Sequence, residues 1–338
     1  MSRYFSTIFT IFCLIISASG TSAAMEGRLM RHPDIHDDTV IFTYEDDLWS
    51  SPAEGGMARR LTSHPGMEQY AAFSPDGQYV AFTGSYDGGH DVYIMPSVGG
   101  EPVRLTFHPA YDRVTGWTPD GGAVLFVSFR GLKRKLYRVK TDGSFPVEYR
   151  LDRVSHASLS PDGVCFNRFY SDRMNWKGYR GGRQQDIWIA DPDGKNFERL
   201  TEWEGYDNFP IWINSQIFFN SDRAGGRMNL HLYDLNSRKI TRCTDHGDWD
   251  VEFPAGGKSR IVYGCQGYLW TYDIITGKSR KLEITIPADR WQRRDTYISP
   301  MNYTQELSPD RTGDRCLVQA RGDIYMVDQK KERAVNIT

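Results

Sequence analysis

The chain has 338 residues, a formal net charge of −2 and 39% hydrophobic residues, which is ordinary for a folded globular protein. Charged residues make up 25% of it and are mixed in sign, which argues against nucleic acid as a partner. Aromatic residues reach 13%, a share that suits β-strands and the packing of one sheet on another.

The first 24 residues have the pattern of a secretory signal peptide. A basic residue precedes an apolar run over residues 8–16, and Ser22 and Ala24 are the small residues that a cleavage site requires. Because the apolar run is short, we expect no stable membrane span. The prediction is export, to the periplasm. The alternative is a misassigned start codon, with translation beginning at a later methionine and a cytoplasmic protein.

A short motif recurs seven times after the leader. Its copies begin at Asp47, Asp91, Lys135, Asp186, Asn229, Tyr268 and Asp323, each followed by an apolar residue and then by an aromatic one or histidine. Counted from Trp49, the steps are 44, 44, 51, 43, 39 and 55 residues. A Ser/Thr-Pro-Asp-Gly turn and an Arg-Leu-Thr motif recur at similar intervals. Strand-rich repeats of roughly 40–45 residues are typical of β-propeller blades.

Each repeat unit contains four short strand signals. In the second unit these are Gln69–Phe73, Tyr79–Phe82, Asp91–Ile94 and Val103–Thr106, and the Ser74–Gly77 turn separates the first two. The Tyr79–Phe82 segment is predicted to alternate as a half-buried strand does. Four strands per unit match one propeller blade. The predicted fold class is therefore all-β, a six-bladed β-propeller of four-stranded antiparallel blades.

The uneven last step gives the domain boundaries. Six complete units occupy about residues 29–283, which predicts a propeller domain over residues 25–287. The 55-residue step crosses a charged stretch at residues 289–295 that reads as a linker. Residues 288–338 are accordingly predicted to be this linker and the first, truncated blade of a second propeller.

Catalytic and metal-binding motifs are missing from the sequence. It has no G-x-S-x-G nucleophile elbow, no H-E-x-x-H pair and no C-x-x-C spacing, so we expect neither a metal nor a cofactor. The acidic run at residues 45–47 is read as a solvated hairpin rather than a cation site. Cys243 and Cys265 leave two possibilities open, a disulfide or a pair of buried free thiols.

One segment interrupts the repeat. The fourth unit is lengthened by residues 171–185, and long loops on repeat scaffolds usually carry function. Its aromatic residues offer flat contact surfaces, and its arginines offer bidentate donors for carboxylates. Trp176, Tyr179, Arg180 and Arg183 are therefore candidate substrate-binding residues. The alternative is a loop that packs on a neighbouring domain.

Several segments resemble the tricorn proteases. The stretch Met30–Trp49 with Arg59–Thr62 is similar to the opening blade of that family, and Ala320–Tyr325 resembles the first blade of its second propeller. Trp176–Gly182 followed by Asp186–Ile189 is similar to another segment of the same family. The resemblance extends from about residue 27 to the end of the chain.

This resemblance implies a large serine peptidase of the C-terminal-processing type. Such proteins carry a six-bladed propeller, a seven-bladed propeller, a PDZ domain and a catalytic core. They cleave short oligopeptides and assemble as homo-oligomers, hexameric in the archetype, with the propellers as gated passages. No catalytic residue is assigned in this chain, which is expected to be a proteolytically inert fragment whose partners are oligopeptides and the downstream domains.

The resemblance also singles out Arg113. In the archetype, two adjacent arginines near the start of blade 3 anchor the carboxylate at the substrate's C-terminus. The matching region here, residues 108–114, holds Arg113 alone, so anchoring by a pair is not expected. A single guanidinium still suits a carboxylate. The alternative is a surface arginine in an inter-blade turn.

Two other classes share the predicted blades. One is a non-enzymatic TolB-like periplasmic binding module, and the other is a prolyl-oligopeptidase-type peptidase, whose propeller precedes an α/β-hydrolase domain. The sequence after Thr338 would discriminate among the three. The linker between the sixth and seventh units favours the tricorn-type interpretation, because a single propeller would not need that break.

Overall fold

A computed structural model describes residues 25–169, 179–288 and 300–338. They belong to two compact units, and the first ends at Ala288. The predicted signal peptide, Trp176 and the charged stretch at residues 289–295 lie outside the described residues.

The first unit consists of short strands joined by tight turns. Its strands are β1 (Met25–Glu26), β2 (Arg31–His36), β3 (Thr39–Tyr44), β4 (Asp47–Pro52), β5 (Gly56–Met57), β6 (Arg59–Arg60), β7 (Glu68–Phe73), β8 (Tyr79–Gly84), β9 (Asp91–Pro96), β10 (Val103–Arg104), β11 (Asp112–Trp117), β12 (Ala123–Ser128), β13 (Lys135–Lys140), β14 (Val147–Glu148), β15 (His156–Ser160), β16 (Gly163–Asn167), β17 (Ile187–Ala190), β18 (Glu198–Arg199), β19 (Asp207–Ile213), β20 (Gln216–Ser221), β21 (Asn229–Asp234), β22 (Ile240–Arg242), β23 (Glu252–Gly256), β24 (Arg260–Cys265), β25 (Tyr268–Asp273), β26 (Lys278–Lys281) and β27 (Ile284–Ile286).

Among these residues, six antiparallel sheets of four strands form the blades. Blade 1 is β2-β3-β4-β6, and blades 2 to 6 are β7–β10, β11–β14, β15–β18, β19–β22 and β23–β26. The first strand of each blade packs on the first strand of the next, and β23 packs on β2, so the six sheets form a closed ring. The predicted all-β propeller fold with four-stranded antiparallel blades is confirmed.

The second unit is described from residue 300. A one-turn 3-10 helix, Pro300–Tyr303, leads into β28 (Thr304–Pro309), β29 (Arg315–Ala320), β30 (Asp323–Asp328) and β31 (Arg333–Asn336). These strands pair in chain order as one antiparallel sheet. The sheet has the strand order of a blade, as the seventh copy of the motif predicts.

The hydrophobic core of the first unit lies between the sheets. Within its described residues, the buried apolar side chains form six clusters, and each cluster combines residues of two neighbouring blades. Every blade is therefore covered on both faces. Because of this, Val80, Ala81 and Phe82 in β8 are all fully buried. The prediction that this strand alternates between buried and exposed positions is wrong, since it assumed a sheet with one solvated face.

The repeated motifs join the third and fourth strands of a blade. In blade 2, the Arg104 guanidinium donates to the Asp91 carboxylate at 2.7 Å and, through Nε, to the carbonyl oxygen of Thr106. The Thr106 hydroxyl accepts the Val92 N–H at 2.9 Å. Equivalent contacts recur in blades 1 and 4. The recurrence of Asp and of Arg-Leu-Thr is thus explained by strand pairing, not by a binding site.

Blades 3 and 6 use different residue types at these two positions, which are again 13 residues apart. In blade 3 the charges are exchanged, and Lys135 pairs with Glu148 at 2.5 Å. In blade 6 a cation–π contact replaces the ion pair, with the Lys281 ammonium 3.8 Å from the centre of the Tyr268 ring. The contact between the strands persists although the residue types change.

The prediction of a solvated hairpin at residues 45–47 is wrong for one of its residues. Asp47 is buried and pairs with Arg60.

A three-stranded sheet outside the blades closes the ring. β1 pairs antiparallel with β27, and β27 pairs parallel with β5, so the segment after blade 6 is held by β1 and by the connection between β4 and β6 of blade 1. Glu26 and Lys281 form an ion pair at 2.5 Å across this junction.

The junction is tight at Gly55, which gives a testable prediction. Its φ is +89°, and a Cβ at this position would lie 2.8 Å from the carbonyl oxygen of Glu283. Gly55→Ala should lower the free energy of unfolding by about 1–2 kcal/mol, measured by urea denaturation. Gly143 has a φ of +78° with open space around it, so Gly143→Ala isolates the backbone cost and should be the milder change. Equal losses for the two variants would contradict a close approach at Gly55.

Candidate functional site: the central channel

The six inner strands surround a central channel with a volume of about 570 Å³. Its walls come from matching segments of β2, β7, β11, β15, β19 and β23, so each blade contributes one stretch of lining. The lining is mainly apolar and aromatic. Its acidic and basic groups, within the described part of the chain, are few: Asp34, Lys258 and three histidines.

Irregular backbone directs four ring-bearing residues into this channel. The pairing of β2, β7, β19 and β23 with the next strand shifts register, which marks a β-bulge in each. At the bulges His32, Tyr70, Phe209 and Phe253 have φ between +46° and +55°. A side chain in this left-handed region costs about 1–2 kcal/mol for each residue. In three cases proline follows, at Pro33, Pro210 and Pro254.

These residues and His156 form an arc that we call the aromatic collar: His32, Tyr70, His156, Phe209 and Phe253. The His32 ring lies 4.0 Å from Tyr70 and 4.4 Å from Phe253, measured between ring centres. Phe209 lies 5.7 Å from Phe253 and 4.0 Å from His156. The collar therefore runs without a break through blades 2, 1, 6, 5 and 4. Contacts at these distances are favourable ring–ring interactions.

The channel wall beyond the collar is held together by polar contacts between blades. The Asp34 carboxylate accepts the Phe73 N–H at 2.7 Å, and the Trp117 indole N–H donates to the Ala72 carbonyl at 2.9 Å. Burial raises the pKa of Asp34 to about 7. This carboxyl group thus changes charge near neutral pH while it lines the channel.

Arg113 lies behind the collar and not at the surface. It belongs to β11 and is only 2% exposed, and its guanidinium stands 5.3 Å from the centre of the Tyr70 ring. One of its Nη atoms donates to the carbonyl oxygen of Ser155 in the next blade. The alternative of a surface arginine in an inter-blade turn is therefore wrong. A role for Arg113 in binding a substrate carboxylate stays a prediction.

The described end of the long loop lies near blade 5. Arg180 is exposed and its Nη1 lies 3.8 Å from Asp222, which also accepts the Trp203 indole N–H at 2.6 Å. Tyr179 is half-buried, and Arg183 is exposed. In the part of the chain that the structure describes, none of these three residues lines the channel. The structure thus brings Arg113, but not the loop residues, to the collar.

The collar was not predicted from the sequence. A weak signal was present, because a ring-bearing residue precedes proline at the same point of three units.

Within the described residues, no group of three or more His, Cys, Asp or Glu side chains could hold a metal ion. Cys165, Cys243, Cys265 and Cys316 are free thiols. In the described part of the chain, no helix has the length and apolar character to cross a membrane.

Comparison with protein families matches residues 27–278 to the tricorn protease N-terminal beta propeller domain. The chain belongs to the tricorn protease family. Its first 288 residues include the family's N-terminal propeller, whose ring and channel are described above.

Relatives in the tricorn family agree with this assignment. The chain is 31% identical over 309 residues to tricorn protease homolog 1 of Streptomyces coelicolor. The aligned region covers 89% of this chain and 29% of that protein. The chain is 27% identical over 302 residues to the tricorn protease homolog of Saccharolobus solfataricus, covering 88% and 28%. The crystal structure of the tricorn protease superposes with a TM-score of 0.74 at 26% identity, over 93% of this chain and 31% of that one. The chain thus spans less than a third of the length of each of these three proteins.

Proposed function

We propose that this chain is the propeller part of a serine peptidase that degrades short oligopeptides, and that its central channel is a passage for those peptides. The observation that carries the proposal is a central channel, lined by the side-chain rings of the aromatic collar, in a propeller of the tricorn family. A passage of about 570 Å³ suits small flexible ligands and excludes folded proteins.

The catalytic core would lie outside this chain. The two relatives named above are more than three times its length, and the family resemblance assigns the nucleophilic serine to a downstream domain. The described sheet at residues 304–336 would be the first blade of a second propeller. We further propose a homo-oligomer, as the family archetype forms hexamers, and export through the segment of residues 1–24.

The test extends the protein beyond Thr338 to its natural end. The longer protein should hydrolyse fluorogenic tri- and tetrapeptides, and a serine-directed inhibitor should abolish this, whereas the 338-residue chain alone should be inactive. Light scattering of the same sample gives the oligomeric state. N-terminal sequencing of the protein recovered from its host tests for removal of the first 24 residues. A longer protein that binds peptides but never cleaves them would overturn the proposed peptidase.

The long loop is proposed to contact substrate or the downstream domains. Arg180 and Arg183 present exposed guanidinium groups that suit carboxylates, and Trp176 is predicted to add contact surface. Replacing these three residues by alanine in the longer protein should lower kcat/KM about tenfold with little change in Tm. The matched control is Arg238→Ala, an exposed arginine after β21. Equal losses of activity and stability would favour a loop that only packs on its neighbours.

A further inference from the structure

The aromatic collar is not required for the fold of a blade. Blade 3 has Val114, which carries no ring, at the position that Tyr70 and Phe209 occupy in their blades, and it still forms a complete four-stranded sheet. Phe209 and Phe253 belong to none of the six core clusters of the described residues. Each keeps part of its ring open to the channel. Their strained backbone is therefore not explained by core packing, and strain of this kind concentrates at functional sites.

The chemistry of the collar favours uncharged, flat side chains. Its members present the faces and edges of five rings, and prolines 33, 210 and 254 stand directly beside three of them. Ring faces of this kind stack on aromatic side chains and on proline. A carboxylate would lose its hydration there, and the nearby Arg113 already donates to Ser155 and lies against Tyr70.

We propose that the aromatic collar is a binding site for the aromatic and proline side chains of oligopeptides and that it discriminates against acidic ones. The proposal rests on the proposed function only for the peptide nature of the ligand. It adds a selectivity for side chains within the channel. Phe209, Phe253 and Tyr70 are the residues that make contact, and the two histidines complete the wall.

The experiment measures binding of capped peptides to the 338-residue chain by isothermal titration calorimetry. N-acetylated, C-amidated pentapeptides carry no terminal charge, so affinity reports on side chains alone. A peptide with two phenylalanines and one proline should bind at least about tenfold more tightly than an all-alanine peptide, which corresponds to roughly 1.4 kcal/mol. A peptide with two glutamates should bind no better than the alanine peptide. Equal affinity for all three peptides would overturn the proposal without any variant being made.

Variants locate the site. The double variant Phe209→Ala, Phe253→Ala should lose the preference for the aromatic peptide, and Phe145→Ala, which removes an exposed ring from a surface turn, should retain it. Near-UV circular dichroism checks that each variant is folded. If the double variant does not fold, the single changes Phe209→Leu and Phe253→Leu keep a similar volume without a ring and should each weaken binding. Retention of the preference by folded double or leucine variants would overturn the proposal.

Failure of this proposal is distinguishable from failure of the proposed function. A longer protein that hydrolyses peptides while the collar shows no preference would remove only the collar's role. Selective binding by a longer protein that lacks hydrolysis would leave the collar in place and remove the peptidase.

Discussion

Replacing Arg113 with alanine should lower the free energy of unfolding of the propeller by about 2–4 kcal/mol. The side chain is almost fully buried between three blades. Its loss leaves a cavity beside Tyr70 and takes a charge-assisted donor from the Ser155 carbonyl. Urea denaturation followed by tryptophan fluorescence measures the change.

Matched variants separate this structural role from substrate binding. Arg183→Ala removes an exposed arginine and should change the free energy of unfolding by less than about 0.5 kcal/mol. Arg113→Lys keeps the positive charge but not the planar guanidinium group, so it should be more stable than Arg113→Ala and less stable than the wild type. If Arg113→Ala were as stable as the wild type and only weakened the binding of peptides with a free C-terminal carboxylate, the arginine would be a ligand anchor and not a structural residue.

The stability of the propeller should fall as pH rises from about 7 to 8, and Glu68→Gln should remove most of this dependence. Burial raises the pKa of Glu68 to about 8, well above the 4.5 of an exposed glutamate, although the Thr62 hydroxyl donates to it at 2.9 Å. The folded protein then binds more protons than the unfolded chain between these two values. Stability is therefore present at low pH and is lost as pH rises through about 8.

Glu68 accounts for the larger part of the expected change between pH 7 and 8. Burial raises the pKa of Asp47 to about 6, so that group has largely ionised by pH 7, whereas Asp34, with a pKa raised to about 7, is half ionised there and adds a smaller share. Burial lowers the pKa of His231 to about 4, which makes stability rise with pH only up to about 6.5. Urea midpoints at pH 6, 7, 8 and 9 supply the measurement.

Removing a carboxylate elsewhere provides the comparison for Glu68→Gln. Glu101→Gln changes an exposed residue in a turn and should keep the slope of the wild type. The glutamine variant should be more stable than the wild type by a few kcal/mol at pH 9, since an amide avoids the cost of a buried negative charge. A wild type whose stability does not change between pH 7 and 9 would contradict the raised pKa.

Local features of the fold were predictable because they repeat. The spacing of the motif copies predicted the division into blades, the strand signals within a unit predicted its four strands, and the Ser-Pro-Asp-Gly turns predicted the connection between the first two. Ser74 and Asp76 show why these turns persist, since the serine hydroxyl accepts the Tyr79 N–H and the aspartate accepts the Gln78 N–H. Such contacts join residues that are near in sequence, so their pattern is visible there.

The candidate site was predicted much less well. Arg113 was selected from a family resemblance, and its burial was not foreseen because the side chains that cover it come from other blades. The loop residues Tyr179, Arg180 and Arg183 were selected from chemistry and length, and they lie outside the channel lining. The collar was missed because a β-bulge changes the direction of a side chain without a distinctive residue type.

The sequence by itself determined the four strands of each blade, their grouping into repeat units and the uneven step that sets the seventh copy apart. The tertiary structure alone decided how the ring closes, which faces of the strands are covered and which rings meet in the channel. Residues such as His32 and Phe253 are more than 200 positions apart and meet only because β23 packs on β2. Contacts of this kind depend on the closure of the whole ring, and no local pattern of residues encodes them.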